Sequence, residues 1–162
     1  MTAAKQAAGT WQVDPARATA SFQVGNLGRT ATGTVPVIDG TVEIGADGQL
    51  LAVHGTLHLA AIDTGIAKRD LDLRRRRLLD LDAHPMMTFT STAIEPADTG
   101  WRVTGTLTAR GVTTRLTGTA STVDGTMAAT ARLDRRTLGI RVPGFVVGRF
   151  VNITVTAALH PR

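Results

Sequence analysis

The chain has 162 residues, of which 43% are hydrophobic and 19% charged, with a net charge of +5 and no cysteine. This composition excludes a disordered chain, and the missing cysteines exclude disulfides, zinc–thiolate sites and thiol nucleophiles. No apolar run approaches the roughly 20 residues that a membrane-spanning helix requires. The length suits one domain, so we expect a flexible N-terminus at residues 1–9 and a single domain at residues 10–162.

Threonine, with 26 copies, alternates with Val, Leu, Ala or Gly along much of the chain. This alternation is typical of half-buried strands, because successive side chains of a strand point to opposite faces. In the first such segment, Ala20, Phe22 and Val24 share one face. The same pattern recurs at residues 30–37, 41–44, 50–61, 86–95, 101–110, 112–122, 126–134 and 149–159.

Short turn signals separate these segments, for example Asp47-Gly48, Arg110-Gly111 and Asp124-Gly125. Such turns predict hairpins between consecutive strands. Eight or so strands joined in this way close into a barrel, which removes the exposed edges of a flat sheet. We therefore predict an all-β fold, an eight-stranded antiparallel up-and-down barrel, and favour it over a sandwich.

The segment around residues 66–80 breaks the strand pattern and is rich in leucine and charge. Leu71, Leu78 and Leu79 fall near one face at helical spacing. We predict a short helical insertion here that caps one end of the barrel.

The side chains that could carry catalysis form no recognisable catalytic motif. Five aspartates crowd residues 63–82 and could supply an acid–base pair, but their basic neighbours favour solvated salt-bridge partners. His54 and His58 lie in one predicted strand, where a four-residue step spans about 13 Å, too far for two ligands at about 2 Å from one metal ion. Ser21, Ser91 and Ser121 also lie in strand patterns, and none sits in a Gly-x-Ser-x-Gly elbow. We therefore predict no catalytic residue, no metal site, no cofactor in the strict sense and no enzymatic activity.

The most conspicuous charge run is the four consecutive arginines at residues 74–77. Residues 68–82 together carry 6 positive and 4 negative charges, so the segment is nearly compensated. Neither a Walker-type loop nor a dinucleotide fingerprint follows any predicted strand. We expect no nucleic-acid partner and at most transient contact with a membrane surface.

The barrel interior is the remaining candidate for a binding site. An eight-stranded barrel is either filled by side chains or just wide enough for one small ligand. Glycines such as Gly105 and Gly118 lie on its apolar faces; they either leave volume for an apolar, chain-like ligand or permit tight strand coiling around a filled core. A filled barrel would serve as a stress-response or protein-interaction module. From alternation alone, the predicted wall residues are Val53, Leu57, Leu59, Leu107 and Leu116.

Several segments, taken together and in order, resemble the YceI-like family of lipocalin-like, polyisoprenoid-binding proteins. They are residues 11–15 (WQVDP), 21–24 (SFQV), 32–34 (TGT), 68–73 (KRDLDL), 84–89 (HPMMTF), 103–113 (VTGTLTARGVT) and 133–140 (LDRRTLGI). The chain departs from the family at Gly25-Asn26, where the family commonly places a His.

This resemblance implies a lipocalin-like barrel that binds a polyisoprenoid or isoprenoid-quinone lipid in its lumen, for carriage, storage or sequestration, often as a homodimer. It adds Phe22, Val24 and Phe89 to the candidate lumen wall. It also implies that the turn near Arg135 and Gly139 is structural, with the arginine anchoring the rim.

Residues 1–9 contain no apolar stretch of the kind found in a secretory signal. We therefore expect a cytoplasmic protein. A periplasmic or secreted location is expected instead if the chain has been trimmed after export.

Overall fold

The computed structural model describes residues 7–144 and 147–162. Within these ranges the chain forms nine β-strands and one α-helix. The strands are β1 (Gly9–Asn26), β2 (Arg29–Val35), β3 (Val37–Ile44), β4 (Leu50–Leu57), β5 (Met87–Ala97), β6 (Gly100–Ala109), β7 (Val112–Val123), β8 (Thr126–Asp134) and β9 (Phe150–Pro161). The helix α1 (Ala67–Leu73) lies between β4 and β5. Of the predicted flexible N-terminus, residues 1–6 lie outside the described ranges, and Gly9 already belongs to β1.

Eight of the described strands form a closed antiparallel ring. From β3 to β9 each strand pairs with the next along the chain, and β1 pairs with both β3 and β9. The extra strand β2 pairs with residues 20–26 of β1, and Pro36 separates it from β3. Proline has no N–H for a strand ladder, which is consistent with a break at this point. The predicted eight-stranded up-and-down barrel is confirmed, with one additional strand.

Threonine side chains lie along the outer face of the barrel. Hydroxyl groups pair directly across neighbouring strands at Thr104–Thr117, Thr108–Thr113 and Thr119–Thr130, at 2.8 to 3.1 Å. On the opposite face of β6, Val103 and Leu107 are buried. The alternation of threonine with apolar residues therefore indicates which side of each strand faces the interior.

The helical insertion is confirmed, but its helix is shorter than the range 66–80. α1 contains seven residues, and the chain then continues in turns. Leu71 is 66% exposed, whereas Leu78 and Leu79 pack against the core. The expectation that all three leucines share one packed face is wrong, because the helix ends before Leu78. No helix in the described part of the chain is long and apolar enough to cross a membrane.

Two clusters of buried side chains fill the two ends of the barrel. At the helix end, which the segment after α1 and the 3-10 helices Leu59–Ala61 and Arg135–Leu138 cover, the cluster includes Leu59, Leu81 and Leu138. At the hairpin end, which carries the β3–β4, β5–β6 and β7–β8 turns, the cluster consists of Val42, Ile44, Leu50, Val103, Ala120, Met127 and Leu159.

Arg135 anchors the turn between β8 and β9 at the helix end. Its side chain is buried, with only 4% exposed. The guanidinium donates hydrogen bonds at 2.8 to 3.0 Å to the backbone carbonyls of Ile140, Val142, Val147 and Gly148. These carbonyl oxygens accept the hydrogen bonds that the guanidinium would make to water if it were exposed, and so they offset the cost of burying the charge. The structural role expected for this turn is therefore confirmed.

Candidate functional site

An apolar cavity of about 170 Å³ lies inside the barrel between the two end clusters. Each of the eight ring strands contributes to its wall. The lining residues are Val13, Val37, Asp39, Gly40, Val42, Val53, His54, Gly55, Leu57, Met87, Phe89, Val103, Leu107, Leu116, Gly118, Thr119, Ala120, Met127, Ala129, Thr130, Ala131, Ile153, Val155 and Ala157. An apolar cavity of about 150 Å³ stays dry and binds benzene in another protein, so this one has room for a small hydrocarbon group.

Five of the eight predicted wall residues line this cavity. They are Val53, Leu57, Phe89, Leu107 and Leu116. Four of the five were chosen by strand alternation, which assigns a side chain to a face wherever the strand is regular. Their contact with a ligand stays a prediction.

The other three predicted residues do not line the cavity. Phe22 and Val24 lie on the part of β1 that pairs with β2, where Phe22 packs against the helix-end cluster. Leu59 is fully buried but belongs to the 3-10 helix that follows β4. The strand predicted over residues 50–61 thus ends at Leu57, and beyond that point alternation no longer determines which way a side chain points.

Sequence reasoning missed the wall residues of β8 and β9. Met127 and Ala131 share one face of β8, and Ile153 and Val155 share one face of β9. The alternation that selected Leu107 on β6 is also present in these two strands. It would have found them without any other signal.

The glycines of the wall have two opposite effects. At Gly55, a Cβ atom would have its nearest neighbour, the carbonyl oxygen of Asp39, at 3.9 Å, so the missing side chain leaves space. At Gly105 and Gly118, a Cβ atom would collide with the carbonyl oxygens of the adjacent strands. Of the two alternatives given for Gly105 and Gly118, the second therefore applies, because these glycines permit close approach of neighbouring strands.

Polar groups border the cavity only where the wall carries small residues. Asp39, His54, Thr119 and Thr130 have exposed side chains, and each adjoins a glycine or an alanine in the sequence. His54 Nδ1 lies 3.0 Å from Thr90 Oγ1 on the outer surface. In residues 7–144 and 147–162, no group of three or more His, Asp or Glu side chains could hold a metal ion.

Strands β4 and β5 separate toward the hairpin end. Their ladder contains four residue pairs, whereas β6 and β7 share nine. Beyond the ladder, Ser91 Oγ accepts a hydrogen bond from the backbone N–H of Val53 at 2.9 Å. The indole Nε1 of Trp101 donates to Gln49 Oε1 at 3.0 Å. Side chains therefore bridge this part of the wall in place of a backbone ladder.

Comparison with known proteins identifies the barrel. The sequence model of the YceI-like domain matches residues 11–159, nearly the whole chain. The chain belongs to the YceI-like family. The resemblance noted in the sequence is confirmed.

Two curated relatives match part of the chain. The protein YceI of Escherichia coli is 32% identical over 99 residues, which cover 60% of this chain and 52% of that protein. A UPF0312 protein of Pectobacterium atrosepticum is 39% identical over 61 residues, 38% of this chain and 32% of that protein. The YceI-like chain thus spans about a third to a half of the length of these relatives.

Solved structures share the fold. BcnA of Burkholderia cenocepacia has a TM-score of 0.75 at 20% identity, covering 91% of this chain and 99% of that one. A polyisoprenoid-binding domain of Saccharophagus degradans has a TM-score of 0.60 at 13% identity, covering 94% and 98%. At identities of 20% and 13%, this likeness shows that the fold is shared.

Proposed function

We propose that this protein binds an apolar, chain-like lipid of the polyisoprenoid or isoprenoid-quinone type inside its barrel, for carriage, storage or sequestration. The observation that carries the proposal is the apolar cavity between the two end clusters. Each methylene group transferred from water into such a site contributes about 0.8 kcal/mol. A hydrocarbon chain therefore gains more from this wall than a polar molecule does.

Membership of the YceI-like family and the shared fold support the class of ligand. The Saccharophagus degradans barrel is a polyisoprenoid-binding domain with the same architecture. The apolar side chains of this cavity wall, which are Val, Leu, Ala, Ile, Met and Phe, match the chemistry of such a chain. We extend this ligand class to the present chain on the basis of the cavity rather than of the likeness alone.

The cavity is too small to hold a long ligand unless the side chains around it move. A volume of about 170 Å³ is close to that of a cavity that binds benzene, which corresponds to one short segment of a chain. Met87 and Met127 line the space, and methionine side chains adapt readily to new shapes. We propose that a longer chain enters by repacking these side chains, and that the separation of β4 and β5 is its route.

We propose binding without catalysis. Among the described residues the buried charged side chain is Arg135, and its guanidinium is already occupied by backbone carbonyls. On the described cavity wall, the ionisable residues Asp39 and His54 have exposed side chains, so the wall offers no buried acid–base pair. Formation of a homodimer and a cytoplasmic location stay predictions.

The test fills the cavity without disturbing the strands. In Gly55→Leu the new side chain enters the cavity wall where a Cβ atom meets nothing closer than 3.9 Å. Thr106→Leu adds the same side chain to the exposed face of β6 and serves as the matched control. Each protein is purified from its native host without denaturation, and its lipids are extracted and measured by mass spectrometry.

We expect wild type and Thr106→Leu to release an isoprenoid lipid near one equivalent, and Gly55→Leu to release less than a tenth of that. Circular dichroism and thermal unfolding establish that Gly55→Leu is folded. Recovery of no lipid from wild type, or of equal amounts from wild type and Gly55→Leu, would overturn the proposal. Recovery of no lipid would favour a filled barrel that acts as a protein-interaction module, whereas equal recovery would place the lipid outside the lumen.

A further inference from the structure

A second recess, separate from the lumen, lies at the helix end of the barrel. It has a volume of about 420 Å³ and is lined by Arg76, Arg77, Arg110, Gly139 and Arg141. None of these residues lines the lumen cavity. The arginines come from three segments: the turns after α1, the β6–β7 turn, and the chain that follows the 3-10 helix Arg135–Leu138. The fold therefore brings four guanidinium groups together from distant parts of the sequence.

Arg110 fixes the geometry of this recess. Its Nη1 donates to the carbonyl of Leu138 at 2.7 Å, and its Nη2 donates to the carbonyl of Arg76 at 2.8 Å. These bonds join the segment after α1 to the turn after β8. The Nε of Arg110 is buried without a hydrogen-bond partner in the described part of the chain. A buried, unpaired donor on a charged group is costly, so this guanidinium favours a negative charge nearby.

The recess holds more positive charge than its surroundings compensate. Within the same run of arginines, Arg74 pairs with Asp82 at 2.6 Å and Arg75 pairs with Asp72 at 3.3 Å. For the arginines of the recess, no ion pair occurs in residues 7–144 and 147–162. Four neighbouring positive charges repel one another, and a bound anion removes that repulsion.

We propose that this recess binds a phosphoryl group, carried either by free phosphate or by the headgroup of a lipid. The planar guanidinium donates two parallel hydrogen bonds and matches the oxygens of a phosphate. A phosphate dianion also suits several arginines better than a single carboxylate does, because it carries more charge and more acceptor oxygens. The proposal goes beyond lipid binding in the lumen, and the two sites can be tested independently.

The test compares two double variants that lose the same charge. Arg76→Gln with Arg77→Gln removes two exposed arginines of the recess and leaves the bridging Arg110 in place. Arg75→Gln with Arg115→Gln removes two exposed arginines outside it. Binding of inorganic phosphate and of dodecyl phosphate to the full chain is measured by calorimetry. We expect saturable binding that the recess variant weakens at least tenfold and the control variant less than twofold.

The two probes distinguish the source of the phosphoryl group. Equal affinities for both would identify a free phosphate as the ligand, whereas much tighter binding of dodecyl phosphate, still weakened by the recess variant, would identify a lipid headgroup. Absence of saturable binding, or equal weakening by both double variants, would overturn the proposal. Gly55→Leu, which blocks the lumen, should leave the affinity for inorganic phosphate unchanged, so failure of one proposal is distinguishable from failure of the other.

Discussion

The ring of Phe89 lies where a side chain of residue 105 would begin: a Cβ atom built on Gly105 would be 2.6 Å from Phe89 Cζ. The same atom would collide with the carbonyl oxygen of Thr90 on β5. Because Phe89 also lines the lumen cavity, the glycine at 105 allows the aromatic ring to cover the wall and the two strands to approach closely.

We expect Gly105→Ala to lower the free energy of unfolding by about 2–3 kcal/mol, the upper part of the range for overpacked sites. The added methyl group forces β5 and the Phe89 ring to move. Urea denaturation followed by circular dichroism measures the change.

Gly55→Ala is the matched control for that experiment, because its Cβ atom meets ordinary spacing. Its unfolding free energy should stay equal to that of wild type or rise by up to about 1 kcal/mol, since alanine restricts the unfolded chain. If both variants lose the same unfolding free energy, the replacement of any strand glycine is destabilising, and the contact with Phe89 is not the cause.

Arg135→Met should destabilise the protein by at least about 3 kcal/mol, because several buried carbonyl groups lose their donor together. Arg136→Met removes the neighbouring exposed arginine and should change the stability by less than about 0.5 kcal/mol. Thermal and urea unfolding of both variants provide the measurement. A stable Arg135→Met protein would contradict the anchoring role of this side chain.

Asp134 and Arg149 make stability depend on pH. The hydrogen bonds from Arg149 to Asp134 Oδ2, at 2.9 and 3.0 Å, lower the pKa of the Asp134 carboxyl below its ordinary value. A lowered pKa in the folded state means that the stabilisation is fully present above the unfolded-state pKa of about 3.9. It is lost as the pH falls through the folded-state pKa.

Asp134→Asn should therefore be less stable than wild type at pH 7, and the difference should vanish as the pH approaches 2. Asparagine also retains the oxygen that accepts the N–H of Arg136, so the comparison isolates the charge. Melting temperatures at pH 7, 5, 3 and 2, chosen to bracket an ordinary aspartate, give the result. A difference that is independent of pH would mean that the ion pair contributes nothing.

Substitutions at Leu59 and Val53 distinguish the residues that stabilise the fold from those that bind lipid. Leu59→Ala empties a fully buried position in the helix-end cluster and should cost about 3 kcal/mol of stability, while the folded protein still yields lipid. Val53→Phe enlarges a side chain on the cavity wall and should lower the lipid yield several-fold. Lipid extraction combined with urea unfolding tests both; loss of lipid from folded Leu59→Ala would extend the binding site to the helix end.

Prediction from sequence succeeded where the signal was local. The threonine alternation and the Asp-Gly and Arg-Gly turns determine the strands and the barrel, because side-chain direction along a strand follows from neighbouring residues. The same signal assigned Leu107 and Leu116 to the wall. It failed for Leu59, where the chain leaves the sheet after Leu57 and begins a 3-10 helix.

The sequence by itself therefore determined the family, the barrel and part of its apolar wall. Only the tertiary structure decided that Gly55 opens space while Gly105 closes it, since the difference depends on what the neighbouring strand places beside each Cα atom. It also decided that Arg76, Arg110 and Arg141 meet in one recess. Contacts between residues far apart in the chain depend on strand register and on the paths of the connecting turns, and neither is contained in local alternation.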